Sequence, residues 1–355
     1  MIFIERINQP NQIYPLGVEM NKTGKKIVYG LGIESTAHTF GASVVDSTGR
    51  ILTDAKSVYI PPQGSGIHPR EASRHHSEKA ANVIDEALRG AGIKARDLSF
   101  IAYSAGPGLG PCLRVGATVA RAIASYFNLP LIPVNHAVGH IEIAALEAGF
   151  SDPLVLLVSG GHTLISAHSY GRWRIFGETL DITIGQLLDQ FGRAAGFASP
   201  AGRKLEELAK AAERYISLPY TVKGNDVSFS GILTAAKNML ASGESLEDLA
   251  YSLQETGFAM LCEVTERALA FTEKSELLVA GGVAANRRLC EMLNAVALRH
   301  NAKFCAVSSR FAGDCGAQIA WAGLLAFSTG VFIPLEKSVI RQSWRLDSVD
   351  TPWRS

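Results

Sequence analysis

Short apolar runs alternate along the chain with clusters of glycine, serine and proline, and longer amphipathic stretches lie between them. Residues 27–33 read as a buried strand running into Glu34-Ser35-Thr36-Ala37-His38, a turn of small hydroxyl residues. Residues 39–46 and 50–59 read as two further strands joined by Ser47-Thr48-Gly49. A loop over 63–70 feeds an amphipathic helix at 71–89, with Ala80, Val83, Ile84, Ala87 and Leu88 on its apolar side. A strand at 99–104 ends in Gly106-Pro107-Gly108-Leu109-Gly110-Pro111, and a helix at 113–127 follows. Residues 131–134 form a short strand. Asn135 is placed to cap a helix that continues through the apolar stretch 141–148 to Gly149.

The pattern then starts again. Strands are expected at 154–159, 164–168 and 172–178, joined by Gly160-Gly161-His162-Thr163 and Ser169-Tyr170-Gly171. Helices are expected at 180–195, 203–214, 231–240 and 245–272, with 221–230 irregular. A strand at 276–280, a Gly281-Gly282 turn, a helix at 284–300, a strand at 302–307 and a helix at 313–328 complete the half. Strand, turn, strand, turn, strand, helices occurs twice, an internal duplication with little identity between the copies. The expected organisation is an N-terminal extension over 1–26, with Met20 as an alternative start, and two α/β domains over 27–150 and 151–328. A polar and aromatic tail over 329–355 packs back on the first domain.

Composition narrows the function less than the pattern does. The chain has 355 residues, room for two domains and a sizeable core. A net charge of +1 gives no global electrostatic case for nucleic acid or a membrane surface, so any RNA grip rests on local patches or partner subunits. The five cysteines form no C-x-x-C pair, and with no leader visible they predict reduced thiols in a cytoplasmic protein. No apolar run approaches transmembrane length, so no membrane is expected.

Candidate chemistry collects at five places. His136 and His140 are four apart, so on a helix both imidazoles reach one point, which suits a divalent metal; two polar residues at a helix start is the plainer reading. Asp314, in Gly313-Asp314-Cys315-Gly316, is a plausible helix cap or a third ligand. The turns at 34–38 and 160–163 follow strands and lead into strands, so neither fits a Rossmann or P-loop fingerprint. Two small-residue turns facing each other across a cleft instead form the phosphate clamp of the actin-like ATPase (ASKHA, RNase H-like) architecture. Gly281-Gly282-Val283-Ala284-Ala285-Asn286 would let a base or ribose approach the backbone.

The motifs Gly32-Ile33-Glu34-Ser35-Thr36-Ala37-His38-Thr39, Gly66-Ile67-His68-Pro69-Arg70-Glu71-Ala72, Asn135-His136-Ala137-Val138-Gly139-His140, Val158-Ser159-Gly160-Gly161-His162-Thr163, Phe229-Ser230-Gly231, Gly281-Gly282-Val283-Ala284-Ala285-Asn286 and Gly313-Asp314 stand in one order along the chain. Together they resemble the tRNA N6-adenosine threonylcarbamoyltransferase family, the catalytic subunit of the archaeal and eukaryotic KEOPS complex, once called O-sialoglycoprotein endopeptidase. The 66–72 stretch is similar to the archaeal and eukaryotic branch. The resemblance implies two duplicated actin-like domains around a nucleotide cleft. It implies an acyltransferase that moves a threonylcarbamoyl group from threonylcarbamoyl-adenylate to N6 of adenosine 37 in ANN-reading tRNAs. It puts an iron or zinc ion on His136, His140 and Asp314, and nucleotide or substrate contacts on Val158, Ser159, Gly160, Gly161, Asp189, Gly202, Glu206 and Asn286. Two positions depart from the family pattern: Leu157 replaces a tyrosine able to approach the metal, and Cys315 replaces an asparagine.

The implied partners are tRNA, a small kinase or ATPase subunit, a small dimerising subunit docked on helices 71–89 and 113–127, and a further small regulatory subunit. His38 and His68 are geometric candidates for the base that deprotonates N6. His75 and His76 suit a solvated helix as well as a function, and His162, His168 and His300 read as structural. A metalloprotease would need a glutamate where Ala137 stands. A sugar or small-molecule kinase on this fold usually carries aspartate where Glu34 stands and has no need of the histidine pair. A non-catalytic nucleotide-binding scaffold is the third rival.

Overall fold

The computed structural model describes residues 27–62 and 65–354; the expected extension over 1–26 lies outside the described residues. In the first half, β1 (Tyr29–Glu34), β2 (Thr39–Asp46) and β3 (Ile51–Val58) form an antiparallel meander. Helix α1 (Pro69–Gly90) leads to β4 (Phe100–Gly106), α2 (Gly110–Phe127) to β5 (Leu131–Asn135), and α3 (His136–Ala148) follows. β4 pairs parallel with β1, and β5 with β4, giving the order β3-β2-β1-β4-β5. The second half repeats this arrangement. β6 (Leu154–Val158), β7 (Thr163–Ser169) and β8 (Arg172–Glu178) form the meander. Next come α4 (Ile184–Ala194), α5 (Gly202–Ala209), the small hairpin β9 (Val222–Lys223) and β10 (Asp226–Val227), α6 (Ser230–Ala241) and α7 (Leu246–Thr272). β11 (Glu276–Ala280), α8 (Arg287–Arg299), β12 (Lys303–Ala306), α9 (Ser309–Ala312) and α10 (Gly316–Ser328) close the half, and the sheet order is β12-β11-β6-β7-β8. The duplication read from the sequence is thus a duplicated sheet topology.

The helices that end the two halves cross over. α3 packs on β6 and β11 of the second sheet, and α10 packs on β1, β2 and β4 of the first. α3 buries every side chain from His136 to Ala145, as a helix apolar on most sides must. A large core joins Phe100, Ala102, Ile132 and Val134 to α3, the second sheet and α10. A smaller core lies between the other face of the first sheet (Leu31, Ile33, Phe40, Val44) and α1 and α2. α10 lies almost against the strands because glycines leave room: a Cβ on Gly32 would sit 2.1 Å from the Ala320 nitrogen, and one on Gly316 2.5 Å from the Ala42 carbonyl carbon.

Several boundaries differ from the sequence reading, each for a local reason. The helix expected at 180–195 starts at Ile184, because the Thr183 hydroxyl caps the Gln186 amide. The stretch 203–214 ends its helix at Ala209, and the Glu213 and Arg214 amides turn away to the Asp248 carboxylate. Within 221–230 the chain makes the β9–β10 hairpin, with Gly224 in the left-handed region. The helix expected at 284–300 is split: Gly282–Ala285 forms a 3-10 turn, and Asn286 caps α8 through the Leu289 amide. The last long helix begins at Gly316 after an extended Cys315, so Asp314 is free of the capping role. The tail touches both halves. Arg341 donates its amide to Ala105 O and Trp344 O accepts from Asn135, while Arg172 pairs with Asp350 and the Thr351 amide bonds Gly171 O.

Gly316→Ala is expected to push α10 off the first sheet, with a stability loss of about 1–3 kcal/mol or more from overpacking against backbone. Urea unfolding measures it, and an unchanged midpoint would contradict the close approach.

Candidate metal centre

The crossing of α3 and α10 sets the site. Asn135 caps α3, its Oδ1 accepting from the Ala137 and Val138 amides at 2.9 and 3.2 Å. The capped first turn directs His136 and His140 to one side, with ring centroids 4.6 Å apart and planes at 82°. Asp314 enters from the connection just before α10, and its Oδ1 lies 3.4 Å from Nε2 of both histidines. Among the described residues these three form the cluster whose donor atoms all lie within 4.8 Å of one another. The 3.4 Å separations are too long for good hydrogen bonds. They match the edge of a tetrahedron built on bonds of about 2.1 Å, the length of a zinc–nitrogen bond. His140 is 1% exposed; its Nδ1 has no hydrogen-bond partner among the described residues, and its Nε2 has only the long approach to Asp314. A buried imidazole left so unsatisfied fits a cation held between the three groups.

The electrostatics are those of a site built around positive charge. Burial alone would depress His136, but the Glu34 and Asp314 carboxylates outweigh it and lift the imidazole to about 10. Burial holds His140 below its ordinary value, and Asp314 is held well below the carboxylate range by the two histidines despite its burial. Cys315 is buried, its thiol pushed up to about 12, and its sulfur faces the Gln318 amide oxygen at 3.8 Å. Leu157 is fully buried in β6, in register with Ala280 and Leu164, and supplies apolar core.

The two small-residue turns differ in burial: Ser35 and Thr36 lie inside the protein, whereas Gly160 and Gly161 are exposed. In the first, the Ser35 amide donates to Ser104 Oγ at 2.9 Å and the Thr36 amide to Glu34 Oε1 at 2.5 Å, so both donors are committed inside the protein. In the second, Val158 ends β6 in the core, and Ser159 Oγ accepts from the Gly161 and His162 amides at 3.1 and 2.9 Å. Gly160 and Gly161 face solvent, and a Cβ on Gly160 would meet nothing within 4 Å. Gly281, at φ 92°, brings the end of β11 so near that a Cβ would lie 2.4 Å from Val158 O.

The remaining expected contacts come together in two pairs. Asp189 on α4 accepts the Ala201 amide at 2.7 Å, beside Gly202 at the start of α5; burial raises its carboxyl. Glu206 accepts the Arg287 amide at 2.9 Å, beside Asn286, whose Nδ2 donates to Gln254 Oε1 at 2.7 Å. Asp181, expected inside a helix, lies ahead of α4. It receives the hydroxyl of Ser228 at 2.6 Å and of Ser230 at 2.5 Å, and the Phe229 amide at 2.9 Å, fixing Phe229-Ser230-Gly231.

Sequence reasoning missed three residues. Glu34 and Gln318 are fully buried against His136: Glu34 Oε2 is 3.0 Å and Gln318 Nε2 3.1 Å from its Nδ1. His162, read as structural, has its ring centroid 6.1 Å from that of His136 and an unpartnered Nδ1; burial and the neighbouring His136 hold it neutral, near 3. His76 is not on a solvated face. It is fully buried against Phe40, and burial lowers it to about 4. His168 and His300 do make structural contacts, with Thr351 at 3.0 Å and Glu266 at 3.2 Å.

The sequence profile of the TsaD family, tRNA N6-adenosine threonylcarbamoyltransferase, matches residues 50–321. The chain belongs to this family. It is 51% identical over 323 residues to the tRNA N6-adenosine threonylcarbamoyltransferase of Caldivirga maquilingensis, covering 91% of this chain and 97% of that one. It is 50% identical over 323 residues to a probable bifunctional tRNA threonylcarbamoyladenosine biosynthesis protein of Methanothermobacter thermautotrophicus, covering 91% of this chain and 60% of that one. The fold is similar to that of HypF from T. kodakarensis, with a TM-score of 0.60 at 14% identity, over 90% of this chain and 49% of that one. A TsaD chain is a mixed α/β protein of the actin-like ATPase type, and the duplicated sheet order conforms to that.

Asp314→Ala is expected to lower the bound metal from about one ion per chain to a small fraction, since a three-donor set that loses its only carboxylate keeps two neutral ligands. Metal analysis of protein purified without chelators measures it, and full occupancy in the variant would refute the ligand set. Asp181 gives a pH prediction. Burial pushes it up, but the Ser228 and Ser230 hydroxyls and the Phe229 and Ser230 amides outweigh that and lower it from 3.8 to about 2. A carboxyl lowered by folding contributes stability above its unfolded value and loses it as pH falls through the folded one. The Tm deficit of Asp181→Asn should therefore be full above about pH 4 and shrink toward about pH 2. A deficit independent of pH would refute it.

Proposed function

We propose that this TsaD chain transfers the threonylcarbamoyl group of threonylcarbamoyl-adenylate to N6 of adenosine 37 in ANN-reading tRNAs, with a divalent metal on His136, His140 and Asp314. The observation that carries the reading is the set of two buried histidines and one partly buried aspartate in a member of this family. An iron or zinc ion bound there would supply Lewis-acid polarisation of a carbonyl or phosphate oxygen of the donor. The chain's own residues do the rest. The solvent-facing turn at Gly160 and Gly161 seats the single phosphate of the adenylate through the Gly160 amide, and Val158 and Ser159 hold that turn in place, Ser159 Oγ by accepting the Gly161 amide. Asp189, Gly202, Glu206 and Asn286 hold the nucleoside, on a rim already tied by the Asp189–Ala201 and Glu206–Arg287 hydrogen bonds.

The rival activities fit less well. A sugar or small-molecule kinase on this fold usually carries aspartate where Glu34 stands and has no need of the histidine pair. A zincin needs the general base that Ala137 does not provide.

Partners complete the proposal. A net charge of +1 supports a tRNA grip shared with other subunits of a KEOPS-type assembly: a small kinase or ATPase, a small dimerising subunit and a small regulatory subunit. The dimerising subunit is assigned to α1 and α2, where Tyr126 is 83% exposed. Among the described residues no helix is long and apolar enough to cross a membrane, and we place the enzyme with its tRNA in the cytoplasm.

Labelled threonine supplied as the adenylate, with tRNA and partner proteins, is expected to enter tRNA. His140→Ala should slow this at least about 100-fold through loss of the polarising site. No incorporation by the unaltered chain would overturn the transferase reading, and full activity of the variant would overturn the role of the metal.

A further inference from the structure

We propose that Glu34 is a positioning residue for the metal: it accepts a hydrogen bond from Nδ1–H of His136, so that the ring turns Nε2 to the site, and Gln318 holds the carboxylate there. This rests on the metal reading above.

Glu34 ends β1, the strand whose following turn would clamp phosphate in an actin-like ATPase. Its side chain instead points into the crossing of α3 and α10 and is completely buried. A buried carboxylate is costly unless its oxygens are satisfied. Here Oε1 accepts the Thr36 amide at 2.5 Å, and Oε2 lies 3.0 Å from His136 Nδ1 and 3.4 Å from Gln318 Nε2; Gln318 Nε2 is also 3.1 Å from Nδ1, and the anionic oxygen is the acceptor that both donors share. Thr36 Oγ1 also approaches Nδ1, at 3.4 Å. An acceptor that near Nδ1 selects the tautomer with its proton on Nδ1, because the other would set a lone pair against an anion. A cation that displaces the other proton would then find Nε2 on the side of Asp314 and His140.

The arrangement is one-sided. His140 Nδ1 has no partner among the described residues, so only one of the two imidazoles is preset. The preset ring is held by groups from three elements: Glu34 from β1, Gln318 from α10, and its own helix α3. The carboxylate that opens the first turn is therefore committed to the metal site, whereas the second turn faces solvent. That division follows from the burial and partners of Glu34, not from its position in the motif.

The test is zinc affinity of the full chain, by competition with a chromophoric chelator, together with nitrogen-15 histidine spectra of the zinc-loaded protein. Glu34→Ala is expected to weaken zinc binding about 10–100-fold and to shift or broaden the His136 Nδ1–H resonance. Glu34→Gln keeps the shape and one acceptor oxygen and should lose less; if the alanine variant does not fold, the glutamine variant decides. Gln318→Leu should show a smaller loss in the same direction. Zinc affinity and His136 resonances unchanged in the folded Glu34 variants would overturn the proposal while leaving the metal reading intact. Absence of zinc binding by the unaltered chain would overturn both.

Discussion

The crossing of α3 and α10 is the contact on which the rest of the molecule depends. Each helix ends one half of the duplicated chain and packs on the sheet of the other half. Neither sheet can bury its inner face without the partner half's helix, so the halves share one large core. The crossing is tight because small residues line it: a Cβ on Gly139 would lie 3.2 Å from Gln318 O, and α10 rests on β1 and β2 through Gly32 and Gly316. Close-packed interiors transmit shifts rather than absorb them. Side chains placed from the two sides of such a crossing are therefore held at fixed separation.

The same crossing concentrates charge in a dry place. His136, His140, Asp314 and Glu34 are four ionisable groups within one buried cluster, and such a cluster persists only where its members satisfy one another or an ion. A second buried charge braces it from behind. Glu142, also on α3, takes the guanidinium of Arg354 at 2.7 and 2.8 Å and the Trp353 indole at 3.1 Å. Arg354 stacks on Trp173 of β8, 4.8 Å from the ring centroid. The last residues of the chain thus pin the histidine helix to the second sheet, which accounts for the aromatic tail more fully than packing on one half would.

Much of this was legible in the sequence. Nearly all strands and the long helices follow from period and turn residues, because a strand's alternation and a helix's cap are local properties. Asn135, Gly149 and the 136/140 spacing placed both histidines on one helix face before any contact was known. Three of the misplaced boundaries share one cause: Thr183, Asn286 and Asp248 capture backbone amides and end or start helices where propensity would continue them. An Asp, Asn or Thr in an apolar-periodic stretch is an ambiguous signal, since it caps or continues according to neighbours distant in sequence.

The sequence by itself determined the duplicated α/β pattern, the family motifs and the helix carrying His136 and His140, because each rests on residues within a few positions of one another. Only the tertiary structure decided that Asp314 meets that pair from 174 positions away in number, since closure depends on how two sheets exchange helices. It also decided that Glu34 and Gln318 face His136, that His76 is buried, and that the two turns are unequal. Burial and hydrogen-bond partners are properties of the packed chain, and a carboxylate's role follows from what surrounds it once water is excluded.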